Sequence, residues 1–230
     1  LFITLLIIEI IGLFYLYRFV PFVRVVNLND NNLYSSLDIY TKLSNNKDIK
    51  EFFQDNIITD IPNIERMTEF DRQIALRKYI RNSLTNLSAP ISTEKYNPVI
   101  LYQELKDGKS SATCGQLSLL YAYALDSFEQ KFRIVSLIRD MNLFHHNYED
   151  SHVVVEVWSN EYNKWYVSDP TFNGYFVDKD GIPMNVFEIR QAIQKTREEL
   201  KGTGISNLAY ANKIKFERNE AVEEPTLLSY

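Results

Sequence analysis

The chain has 230 residues, of which 45% are hydrophobic and 13% aromatic, enough to bury a sizeable core and to exclude global disorder. Its formal net charge of −5, with no basic run, argues against a nucleic-acid partner, because phosphate binding needs clustered Lys and Arg. A single cysteine, Cys114, forms no intramolecular disulfide and gives no vote on redox compartment.

The stretch Leu1 to Val23 is apolar apart from Thr4, Glu9, Gly12 and Arg18, long enough for one membrane-spanning helix. Residues 1–24 are therefore expected to be a single-pass anchor, which places the protein at a membrane, in the cell envelope. No small-residue cleavage site follows, which argues against a signal peptide. Arg18 and Arg24 favour a cytoplasmic domain, yet lysines upstream would reverse that, so the side stays open. Residues 25–64, Asn-rich at first, are expected to be a linker and N-terminal subregion, with the folded domain over 65–218 and a tail over 219–230.

Within that domain, Met67, Phe70, Ile74, Leu76, Ile80 and Leu84 fall on one arc and predict a core-covering helix over 65–86. A loop punctuated by Pro90 and Pro98 leads to a short helix that Gly108 ends. From Leu117 to Leu125 the chain is apolar nearly all round, which predicts a centrally buried helix with Cys114 in its first turn. Ser110, Ser111 or Thr113 can cap it. FRIVSLI reads as a strand, and SHVVVEVWSNEYNKWYVSDPTF as two strands rich in Val, Trp and Tyr. TFNGYFVDKDGIP reads as a short strand and turn, followed by a C-terminal helix stopped by Gly202. Helices first and strands after give an α+β fold.

A thiolate is the nucleophilic form of cysteine, and a helix N-terminus stabilises it. Such a nucleophile needs a base in reach and a partner to orient the base. His152 opens one strand and Asp169 closes the next. A tight turn at Asn160–Glu161 would place them directly opposite, with Val154 facing Val167 and Glu156 facing Trp165. On that face a packed Trp158 and an exposed Glu156 are expected. The cluster His145, His146, Glu149, Asp150 and His152 offers zinc ligands, but its spacing is irregular and it sits in a predicted loop, so no metal is expected.

Cys114-Gly-Gln before an apolar helix, Ser-His152-Val-Val-Val-Glu-Val-Trp, and Lys-Trp-Tyr-Val-Ser-Asp169-Pro-Thr together resemble the transglutaminase-like superfamily of the papain-like fold group, over roughly residues 95–180. The family often has an aromatic where Val154 stands and a glycine just before its cysteine, where this chain has Ala112-Thr113. The resemblance implies a Cys114–His152–Asp169 triad for acyl transfer or amide hydrolysis through a thioester, without a cofactor, on a protein or peptide substrate. The oxyanion would take the Cys114 backbone N–H and a side-chain donor, for which Gln103 is the candidate. The alternative is a membrane-tethered binding or scaffold module that keeps the fold without turnover.

Overall fold

The computed structural model describes residues 43, 46–84, 88–94, 97–138, 151–200 and 214–218. The expected anchor, most of the linker, the tail and the His145–Asp150 cluster lie outside them. Among the described residues no helix is long and apolar enough to cross a membrane.

The architecture is α+β. Four helices come first: α1 (Lys47–Asp60), α2 (Glu69–Ser83), α3 (Pro98–Lys106) and α4 (Cys114–Ser127). Strands β1 (Phe132–Ile138), β2 (Ser151–Ser159), β3 (Lys164–Ser168) and β4 (Gly174–Asp178) follow, then α5 (Val186–Leu200) and β5 (Ile214–Arg218). Each of the first four helices starts at a side-chain cap. Asn46 accepts from the Asp48 and Ile49 amides, Thr68 from Asp71, Asn97 from Val99 and Ile100, and Thr113 from Gln116. Gly108, at φ +68°, closes α3 in the left-handed conformation that glycine adopts without strain.

Strands β1, β2 and β3 form an antiparallel sheet in that order, and β4 pairs with β5 in a second, two-stranded ribbon. The period of two divides the central sheet between two cores. Val155, Val157, Tyr166 and Phe132 pack with Leu117, Leu120 and Tyr121 of α4 and with the other early helices. Val154 and Val167 pack the other way, against Phe176, Met184, Val186, Ile189 and Ile193. The sheet is thus buried on both faces, which explains why β2 reads as a nearly continuous Val run.

Two expectations change. Phe53 and Ile57 of α1 are fully buried in the same core as α4, so the packed core begins before residue 65. The polar Asn-rich approach masks this helix, whose apolar positions are few. The β2–β3 hairpin is also shifted by two residues: Glu156 faces Val167 and Trp158 faces Trp165. Asn160–Asn163 form a four-residue turn, not a two-residue one. Asn163 takes φ +51°, a conformation that asparagine tolerates. Glu69 fixes the turn from α2, accepting from the Asn160 amide at 2.8 Å and from its Nδ2 at 2.7 Å.

Candidate active site

Thr113, Cys114, Gly115 and Gln116 make the first turn of α4 a reciprocal capping box. The Thr113 hydroxyl accepts from the Gln116 amide, and the Gln116 side chain accepts from the Thr113 amide at 2.8 Å. Gln116 Nε2 also donates to the carbonyls of Ser92 and Glu94, at 3.0 and 2.8 Å. One side chain therefore fixes both the turn that carries the cysteine and the segment lying across it. The Thr-x-x-Gln spacing is visible in the sequence, and sequence reasoning missed it.

Cys114 is half-buried. Its thiol is held below the ordinary range first by a hydrogen bond with His152; burial opposes this, and the backbone amides of Val153 and Gly115 add to the lowering. His152 Nε2 lies 2.8 Å from Asp169 Oδ2, which leaves Nδ1 as the ring nitrogen available to the thiol. Burial pushes the imidazole down, but the hydrogen bonds to Asp169 and Cys114 outweigh it and raise it to about 9. The two shifts run in the same sense: His152 favours the charged form of the thiol, and the thiol and Asp169 favour the charged form of the imidazole.

Asp169 is fully buried. Its second oxygen, Oδ1, accepts from the Thr171 and Phe172 amides at 2.7 and 3.2 Å, which fixes the carboxylate in the Asp169–Gly174 hairpin. The expected direct opposition to His152 is not observed: in the shifted register Asp169 follows Ser168, the partner of Val155, so the two side chains meet diagonally. A two-residue shift keeps both on one sheet face, and diagonal neighbours remain within reach of long side chains. Phe172 covers the imidazole, with ring centroids 5.4 Å apart. Beneath the hairpin, buried Arg77 donates to Ser168 Oγ at 3.1 Å and approaches Asn173 Oδ1 at 3.4 Å. Sequence reasoning missed these supports, because Arg77 sits on an amphipathic helix where charge signals solvent.

Gln103 is not brought to the triad. It is exposed on α3, whose Leu101, Tyr102 and Leu105 face the core. The Cys114 N–H belongs to the first helical turn and has no intrahelical acceptor. Glu156, expected to be exposed, is fully buried and pairs with Arg133 at 2.6 Å. Trp158 is half-buried, edge-on to Trp165, with its Nε1 donating to Asn160. Among the described residues no group of three or more His, Cys, Asp or Glu could hold a metal.

The chain matches none of the family models, curated proteins or solved structures with which it was compared. The chemistry of the site therefore rests on its own geometry.

Proposed function

We propose that the chain is a transglutaminase-like cysteine enzyme that transfers or hydrolyses acyl groups through a thioester. The observation that carries this is the relay Cys114–His152–Asp169, in which a helix-start thiol is lowered and the imidazole beside it raised. The Cys114 thiolate attacks an amide carbonyl, and the first-turn amide receives the developing oxyanion. Imidazolium gives its proton to the leaving nitrogen as the C–N bond breaks, leaving a thioester and neutral imidazole. His152 then takes a proton from water or an amine. That nucleophile attacks the thioester, the C–S bond breaks, and the thiolate–imidazolium pair returns. Asp169 holds the tautomer and stabilises the charged ring throughout.

A protein or peptide substrate and attachment to a membrane through residues 1–24 complete the reading. The papain-like arrangement of a buried cysteine helix against an antiparallel sheet is its fold. The test is the pH profile of Cys114 alkylation by iodoacetamide, followed by mass spectrometry. Rapid, stoichiometric labelling at pH 6 supports the enzyme. Labelling that rises only around the ordinary thiol value of about 8.5 assigns the domain to a binding or scaffold role instead.

A further inference from the structure

Three residues before the nucleophilic turn, Ser111 pairs with Ile91 in an isolated parallel bridge. The Ser111 amide donates to Pro90 O at 2.8 Å, and the Ser92 amide donates to Ser111 O at 2.9 Å. In that pattern Ser111 spends both of its own backbone groups, whereas Ile91 spends neither. The Ile91 N–H and C=O point to the opposite edge, and among the described residues they have no partner. Ile91 itself is 61% exposed.

The segment is held firmly on its inner side. Gln116 ties the Ser92 and Glu94 carbonyls to the first turn of α4. Ser92 Oγ accepts from the Glu94 amide at 3.0 Å and donates to Glu104 Oε2 at 2.6 Å. A fixed segment whose single bridged residue leaves a donor and an acceptor unpaired can accept one residue of a further extended chain.

Resting on the acyl-transfer reading above, we propose that the Ile91 edge receives the substrate backbone, so that the substrate is an extended polypeptide and not a small amide. One residue's N–H and C=O match the pair presented by one residue of an extended peptide. So short an edge is too small to hold two folded subunits together, but it suits a chain already committed to reaction at Cys114.

The test uses acyloxymethyl ketones, which lose their carboxylate when a thiolate forms the thioether. An equimolar mixture of acetyl-tetrapeptidyl ketones, randomised at every position, is compared with the matching acetyl-aminoacyl ketones. Adduct formation at Cys114 is followed by mass spectrometry. The tetrapeptides are expected to react roughly tenfold faster, the worth of two net hydrogen bonds. N-methylation of one particular backbone nitrogen should remove that advantage, as should Ile91→Pro, which deletes the edge donor. The N-methyl series needs no protein variant, so it stands even if Ile91→Pro misfolds. Equal rates for the two mixtures, or an advantage that survives N-methylation at every position, overturn the proposal. Equal rates together with a dimer that Ile91→Pro splits assign the edge to a second copy of the chain instead. Iodoacetamide carries no backbone, so fast iodoacetamide labelling alongside either negative result sinks the strand-edge proposal alone. Slow iodoacetamide labelling overturns the acyl-transfer reading and this proposal with it.

Discussion

Two buried cation–carboxylate pairs cross the same face of the central sheet. Arg133 and Glu156 face each other directly between β1 and β2, at 2.6 Å; His152 and Asp169 meet diagonally between β2 and β3, at 2.8 Å. Both carboxylates are fully buried, and both give their second oxygen to backbone amides. Glu156 Oε1 takes the Val186 amide at the start of α5, and Asp169 Oδ1 takes Thr171 and Phe172. What separates them is the cation and its third neighbour. A guanidinium keeps its proton across the range in which proteins fold, and that of Arg133 lies over the Trp165 ring at 4.5 Å. An imidazole exchanges its proton near neutrality, and that of His152 meets a thiol at a helix start. One construction therefore gives a fixed joint in one place and, in the function proposed above, a proton relay in the other.

The largest way to break the comparison is at the joint. Glu156→Ala leaves the Arg133 guanidinium buried without its carboxylate and removes an acceptor from the start of α5. It is expected to cost about 3–5 kcal/mol in denaturant unfolding. Where the variant remains folded, Cys114 should still be alkylated rapidly at pH 6. A variant that loses thiol reactivity while keeping its stability would invert the roles of the two pairs.

At the relay the effect is next in size and falls on reactivity. His152→Ala removes the hydrogen bond that does most to lower the Cys114 thiol. Alkylation at pH 6 should fall by about one to two orders of magnitude, as the thiol returns toward the ordinary value of about 8.5. Equal rates in wild type and variant would mean that the two side chains do not meet in solution.

Asp169→Asn keeps the shape of the relay and removes its negative charge. The acid limb of the alkylation profile should move toward higher pH by roughly one unit, the scale of a lost charge-assisted hydrogen bond. Stability should follow the imidazole. His152 is raised in the fold from 6.5 to about 9, so its protonated form stabilises the native state. That contribution is full below pH 6.5 and is lost as pH rises through about 9. The stability gap between wild type and Asp169→Asn should be widest on the acid side of this window and narrow across it. A gap that widens with pH would show that Asp169 does not support an imidazolium.

The relay was more legible in the sequence than the joint, and the reason is physical. Cys114 precedes an apolar run behind a capping residue, and local chemistry alone starts a helix there. His152 and Asp169 bound two strands, and strand parity assigns their face even when the register is wrong by two residues. Glu156 was misread because its partner Arg133 lies 23 residues away on another strand. A glutamate in an alternating strand looks solvated until that neighbour is placed. The register itself was hidden for a similar reason: Glu69, 91 residues away, clasps the turn. The α1 helix was missed because only Phe53 and Ile57 are fully buried on it.

The smallest expected effect concerns that clasp, and it sharpens the comparison because both pairs depend on β2. Glu69 acts on the turn at Asn160, at the far end of the hairpin from His152 and Asp169. Burial raises the Glu69 carboxyl, which the Asn160 amide partly offsets, so the clasp is not a strong anchor for charge. Glu69→Ala should therefore cost about 1 kcal/mol, the worth of exposed hydrogen bonds, and leave alkylation at pH 6 unchanged. The Val155–Ser168 and Glu156–Val167 pairings lie between the clasp and the relay and hold the register without it. If Glu69→Ala slows alkylation as much as Asp169→Asn does, the turn sets the register of the whole hairpin. The relay would then be only as firm as its most distant contact, while the Arg133–Glu156 joint, fixed through β1, would stay in place.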